Sequence, residues 1–352
     1  MKKTLIAFGA ALACMGAAQA QSNVQLSGLV DMFAGSMKKA GEVNRVSALN
    51  SGGMTTSWWG MSGTEDLGNG LKAGFNIGAF FTADNGSMGR HGGDNFFARD
   101  ANVSLSGSFG TLKLGRSMAP NFLPTILFNP FGDSFTVSPL VLHANMSLGL
   151  NTTASDTGWS NQITYSTANF AGFSANLHYA FGESATQEGA NNFGANLMYN
   201  SGPLALTAFY EQADVLGSPK EPKIDAGTSK ENWMLGARYD FGVAKLYATY
   251  GQSEQTAAFF KTLEQDTFSL GVDVPVTKAG TLKLAVAQTK RDDLDPATPN
   301  TKRTTATLGY DHFLSKRTDV YSAVMYDRDN QFKGTLAPVS GTSVAVGIRH
   351  RF

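Results

Sequence analysis

The sequence predicts an all-β chain: an antiparallel transmembrane β-barrel of about sixteen strands. Three observations point to it. Runs of about ten residues alternate apolar and polar side chains, the period of a strand with lipid on one face and water on the other. The connections alternate between tight turns and long polar loops. The final run places Val344, Val346, Ile348, His350 and Phe352 on one face and Ser343, Ala345, Gly347, Arg349 and Arg351 on the other. It ends on an aromatic suited to an interfacial girdle.

The front end sets the compartment. Lys2 and Lys3 precede an apolar run from Leu5 to Ala18, closed by Ala18-Gln19-Ala20. That is a charged n-region, a short h-region and an A-x-A cleavage site, and the run is too short for a spanning helix. Cleavage after Ala20 makes residues 1–20 a signal peptide and residues 21–352 the barrel, exported to the bacterial outer membrane. Cys14 is the only cysteine and lies in the removed segment, where Ala11-Leu12-Ala13 is a poor match to a lipidation site. The mature chain therefore offers no disulfide, thiol nucleophile or zinc–thiolate site. Two of the 28 basic residues leave with the signal, so 26 face 28 acids, a net charge of −2. A nucleic-acid binder would carry a basic surplus.

The strand candidates follow in order. Val24–Ala34 opens the series, with Val24, Leu26, Val30 and Met32 opposite Gln25, Ser27 and Asp31. Ser57–Gly63, Leu71–Phe81, Phe96–Ser106, Thr111–Ser117, Ser160–Thr167, Phe173–Phe181 and Asn191–Asn200 come next. Leu204–Glu211, Asn232–Phe241, Ala244–Gln252, Thr267–Val274 and Thr281–Thr289 follow. Thr304–Phe313, Asp319–Asp327 and Ser343–Phe352 close it. The alternation in Asp319–Asp327 does not decide its face. Tight connections include Asp66–Gly70, Gly107–Gly110, Ser201–Pro203 and Asp240–Gly242; long ones include Ser36–Thr56, Ala83–Asn95, Gln212–Lys230 and Arg291–Arg303. Both chain ends then fall on the short-turn, periplasmic side.

The longest gap, 117–157, carries Leu123, Ile126, Leu127, Phe128, Phe131, Phe135, Val137, Leu140, Val141 and Leu142. A loop that apolar is expected to fold inward against the barrel wall rather than stand in water. Arg99 shares parity with Ala101, Val103 and Leu105, and Arg116 with Leu112 and Leu114, so both read as outward. An outward arginine costs about 2–4 kcal/mol at the bilayer midplane. A subunit interface covering this wall would remove that cost, with an acid such as Asp84 or Asp94 of a neighbouring copy as partner; the alternatives are a place in the interfacial zone, where the cost is small, or a bulge that shifts the parity.

Trp59–Ala73, Leu105–Arg116, Asn161–Tyr165 with Asn169–Phe173, and Gly347–Phe352 resemble the general porins of β-proteobacteria, in family order and across nearly the whole chain. Asn129-Pro130-Phe131-Gly132-Asp133 resembles the tip of their third extracellular loop. The resemblance implies a sixteen-stranded homotrimer whose third loop folds into the pore, and Phe352 as the signal read by the outer-membrane assembly machinery. Outer-membrane lipid and lipopolysaccharide are its expected surroundings.

A channel of this kind needs no cofactor; its selectivity for ions and small solutes comes from charges at the constriction. The candidates for the lumen are Asp31, Lys72, Lys113, Arg238, Lys245, Lys283, Arg349 and Arg351, with Asp133 on the loop and Trp58 on the rim. The chain departs from its relatives by carrying Trp58 and Ser62 where they usually have arginines, and Gly158 and Trp159 where another is often found. No Lys or Arg lies between Arg116 and Lys220. Weak selectivity is the expectation. The alternatives are a channel for amphiphilic or aromatic solutes, using Trp58 and the loop aromatics, or a non-conducting structural or adhesin barrel. An enzyme is not expected: His91, His143, His178, His312 and His350 are scattered, and none stands in a catalytic spacing.

Overall fold

The computed structural model describes residues 23–144, 156–183, 191–214, 229–257, 260–293, 300–330 and 337–352. The expected signal peptide lies outside them. Eighteen strands form one sheet. They are β1 (Asn23–Met37), β2 (Val46–Ser51), β3 (Trp58–Gly68), β4 (Leu71–Thr82), β5 (Ser87–Met88) and β6 (Asp100–Gly107). Next come β7 (Gly110–Met118), β8 (Gly158–Ser166), β9 (Phe173–Ala180), β10 (Asn192–Ser201), β11 (Leu204–Asp214) and β12 (Ser229–Asp240). The last are β13 (Lys245–Ala257), β14 (Phe260–Pro275), β15 (Gly280–Asp293), β16 (Thr301–Phe313), β17 (Thr318–Asp329) and β18 (Val339–Arg351). Sixteen of them make a closed antiparallel barrel. β2 and β5 are short additions that pair with the upper ends of β1 and β4. Both fall inside stretches that read as long loops, because a short polar strand beyond the membrane carries no apolar period.

Several strands outrun their sequence ranges: β14 covers Phe260–Pro275 where Thr267–Val274 was expected. Only the membrane-spanning portion needs an apolar face, while ladder hydrogen bonds continue into water. β18 closes the barrel on β1, with Leu29 opposite Arg351 and Ser36 opposite Val344. Gly28 and Phe352 exchange main-chain hydrogen bonds at 3.1 and 3.0 Å. The Phe352 ring occupies the space a Cβ at position 28 would need. The face of β17 resolves: Asp319, Tyr321, Ala323, Met325 and Asp327 are buried inside, while Val324 and Tyr326 are exposed outside.

After β7 the chain enters the barrel. It forms two short helices, α1 (Phe122–Leu127) and α2 (Pro139–Ala144). Phe131 and Val137 join Phe33, Met54, Ala285, Tyr321, Ala323 and Ala345 in a buried cluster between this loop and the wall. Each fully buried Phe or Val contributes about 1.5–3 kcal/mol, which holds an otherwise polar interior to one loop position.

Candidate functional site

The loop runs along inward positions occupied by glycine. Pro120 faces Gly194 of β10, Phe128 faces Gly236 of β12, Pro130 faces Gly271 of β14 and Phe131 faces Gly309 of β16. A Cβ at position 309 would lie 2.7 Å from the Phe131 ring, so close approach requires glycine there. Polar groups fix the same path. Thr307 Oγ1 donates to the Val137 carbonyl at 2.7 Å, and Asn196 Nδ2 to the Pro120 carbonyl at 3.0 Å. The His143 ring bridges Thr289 and Thr305 hydroxyls at 2.7 and 2.8 Å. Burial, reinforced by Arg303, pushes the His143 imidazole down to about 3.

Asp31 lies on the inward face of β1, as its register requires, but it is fully buried. Its carboxylate accepts the backbone N–H groups of Gly53, Met54 and Thr55 at 3.2, 2.8 and 2.7 Å, and the Tyr321 hydroxyl. The turn it holds takes the loop tip in return: Ser134 and Thr136 hydroxyls donate to the Gly53 and Gly52 carbonyls at 2.7 and 2.8 Å. The expectation that Asp31 lines open water is therefore corrected. It positions the loop, because three backbone N–H groups displace water from its carboxylate.

The other expected lumen residues divide by partner. Arg349 pairs with Asp319 at 3.0 Å and donates to Thr55 Oγ1 at 2.8 Å; Arg351 reaches the same Asp319 at 2.7 Å. Lys283 contacts the Pro130 carbonyl at 3.1 Å and Asp273 at 3.4 Å. Lys245 lies 3.3 Å from Asp240 at a periplasmic turn. Arg238 donates to the Leu127 carbonyl at 3.2 Å and sits 5.6 Å from the Phe128 ring centre. Lys72 and Lys113 hold the inward registers opposite Ser106 and Ser104; among the described residues neither has an ion-pair partner. Asp133 sits on the loop, its carboxyl raised by burial against the opposing Thr55 hydrogen bond and the Arg349 charge.

Trp58 is inward, opposite Leu29 and Phe80. The Arg99 guanidinium stacks on it at 3.7 Å, pairs with Asp100 at 2.6 Å and lies within electrostatic reach of Asp133. Arg99 was expected outward, at a subunit interface; it points into the barrel. β6 begins only at Asp100, so strand alternation does not extend to Arg99. Arg116 opposes Ala101 and does face outward. Its carboxylate partner, however, is Asp156 of its own chain at 2.6 Å, with Ser160 at 3.0 Å. Asp94, named as an acid for a neighbouring copy, pairs with Arg90 of its own chain at 2.8 Å, and Arg90 also holds Asp156 at 2.8 Å. Burial alone would raise the Asp156 carboxyl; Arg90 and Arg116 outweigh it and keep it below the ordinary range. The Arg90–Asp156 pair and the His143 bridge carry no local sequence signal, since these partners lie far away in the chain. The loop aromatics Phe128 and Phe131 are buried against the wall rather than turned to the lumen.

The model of the Gram-negative porin family matches residues 7–331. The chain is 34% identical to outer membrane porin protein 32 of Delftia acidovorans, over the whole of both chains. It is 28% identical to an outer membrane porin protein of Bordetella pertussis, again over the whole of both. The solved structure of an anion-selective porin from Comamonas acidovorans superposes with a TM-score of 0.78 at 30% identity, covering 94% of this chain and 100% of that one. A closed sixteen-strand barrel, a polar interior and these matches agree: the chain belongs to the Gram-negative porin family, outer-membrane channels for passive diffusion of small solutes.

Proposed function

We propose that residues 117–157 form the constriction, and that the channel is weakly selective with a mild preference for anions. The observation that carries this reading is the balance of inward charge. Arg349, Arg351 and Lys283 are matched by Asp319 and Asp273. Among the described residues Lys72, Lys113 and Arg238 have no carboxylate within ion-pair distance, although Lys72 stands opposite Asp66, and Arg99 stacks on Trp58 within electrostatic reach of Asp133. A relative described as anion-selective supports the sign. The sparse set of free cations supports the weakness, because salt screens such charges beyond about 8–10 Å. Reversal potentials across a KCl gradient test it. Wild type should favour chloride modestly, and R238Q combined with K113Q should bring the ratio to near unity. A cation preference, or a strong anion preference untouched by both substitutions, overturns the proposal.

We also propose assembly as a homotrimer, with the wall bearing Arg116 at the subunit interface and Phe352 as the signal for insertion. The outward, charge-rich position of Arg116 supports the first, and the exposed terminal ring over Gly28 the second. Deleting Phe352 should lower trimer yield while leaving the conductance of the trimers that do form unchanged.

A further inference from the structure

The inner wall of the pore breaks its polar pattern at one place. Along β3, β4, β6 and β7 the inward positions carry polar side chains or glycine, except at Trp58 and Phe80. Those two stand directly opposite each other, and Leu29 of β1 stands opposite Trp58 on its other side. Adjacent strands lie about 4.7–4.9 Å apart, so the three side chains make an unbroken apolar row across the wall. Leu29 is buried, whereas both rings are half-buried and meet the water of the lumen. Aromatic surface left wet forfeits about 25 cal/mol per Å² that burial would contribute. The loop's Phe128 and Phe131 do not cover it, since they pack against Gly236 and Gly309.

A cation is fixed beside this row. The Arg99 side chain crosses the inner face of β4 over Gly78, where a Cβ would already touch it at 3.5 Å. Its guanidinium then stacks on Trp58, 3.7 Å from the ring centre. Nη1 donates to Asp100 at 2.6 Å, and among the described residues Nε and Nη2 have no acceptor. That free edge is suited to gripping a carboxylate with two parallel hydrogen bonds. Trp58 beneath and Asp100 beside it already restrict the guanidinium, so little side-chain freedom remains to be lost on binding. Asp133 of the loop is within electrostatic reach of Arg99, so a solute passing the loop passes this stack. Arg90 lies 4.9 Å from the Phe80 ring centre, but Asp94 and Asp156 already hold its charge.

We propose that the Trp58–Arg99 stack and Phe80 form a recognition site for aromatic carboxylates in transit. The carboxylate takes the free Nε and Nη2 edge, and the ring lies along Trp58 and Phe80. This rests on the mild anion preference proposed above and names a solute class for it. An aliphatic acid of equal charge meets the same arginine but lacks the ring-to-ring contact. The test uses purified channels in planar bilayers with KCl on both sides. Benzoate, cyclohexanecarboxylate and benzyl alcohol are added in turn, and the half-blocking concentration is read. Benzoate should block wild type at concentrations roughly two- to tenfold lower than cyclohexanecarboxylate. Benzyl alcohol, a ring without the charge, should block least. W58L should bring the ratio of the two acids to near one. R99Q should weaken block by both acids, on the order of two- to fivefold. Y326L removes an aromatic from the outer face and should keep the wild-type ratio. Equal block by the two acids in wild type overturns the proposal, as does equal block by benzyl alcohol and benzoate, or a wild-type ratio in W58L. Should W58L fail to insert, F80L carries the test, and an unchanged ratio there refutes it. The reversal potential in a KCl gradient, recorded in the same bilayers, judges the anion preference separately, because chloride has no ring to read.

Discussion

The wall that seats the loop and the wall left open to the pore have the same period and different bulk. Inward positions on β15–β17 include Ala285, Ala287, Thr305, Thr307, Gly309 and Ala323, all buried, beside the larger Tyr321 and Met325. Inward positions on β3–β7 include Ser62, Asn76, Lys72, Ser104 and Lys113, which remain partly or fully exposed. Alternation marks both faces as inward, and it is the glycines at the points of closest approach, Gly194, Gly236, Gly271 and Gly309, that mark the packed bed. Small residues let a loop approach to van der Waals distance, where dispersion and exclusion of water hold it.

The largest way to break that contrast is to fill the bed. Gly309→Leu puts side-chain atoms where the Phe131 ring lies. It should displace the loop tip, raise single-channel conductance severalfold and lower trimer thermal stability, on the order of 1–3 kcal/mol for overpacking. Phe131→Ala in the same chain should recover part of the stability by removing the clash. Wild-type conductance in G309L would mean that the bed does not set the loop position.

Second in size is Asp31→Ala. It leaves three backbone N–H groups without an acceptor, each costing about 1–3 kcal/mol if left dry. The 52–55 turn should loosen, and with it the contacts from Ser134 and Thr136. Noisy, subconductance-rich recordings with an intact barrel by far-ultraviolet circular dichroism are the expected result. Asp31→Asn should be milder, since its amide oxygen still accepts. Quiet traces from D31A would remove Asp31 from the loop's support.

How much of this was legible in the sequence follows from the same contrast. Strand number, the faces of β1 and β18, and the closing pair were readable because lipid enforces an apolar outer stripe. The loop's inward path was readable from its own apolar content and from the Asn129–Asp133 resemblance. Which wall receives it was not, because Gly194, Gly236, Gly271 and Gly309 look like ordinary strand glycines until their spatial neighbours are known. Arg99 was misread because parity was extended one residue past the start of β6, where no ladder pair constrains the side chain. Arg116 was aimed correctly, yet its acid sits forty residues later, beyond the reach of any periodic argument.

A subtler probe of the bed is pH. His143 is held at about 3 against an ordinary 6.5, so the seated loop keeps it neutral where a released loop would let it take a proton. The seat's contribution is intact above about pH 6.5 and declines progressively as pH falls toward 3. Channel noise should therefore rise between pH 6 and pH 4 in wild type. His143→Gln keeps a polar side chain between Thr289 and Thr305 without a titrating group, and it should flatten that rise. An identical pH profile in H143Q would show that other groups govern it.

The smallest effect should come from adding bulk to the open wall. Ser104→Leu enlarges an inward side chain, as Gly309→Leu does, but Ser104 faces Lys113 and Gly74 rather than a packed loop. Nothing is evicted, so the side chain only takes volume from water. A slight fall in conductance, with unchanged noise and thermal stability, is expected. If S104L instead destabilised the trimer as G309L does, the two walls would be equally packed.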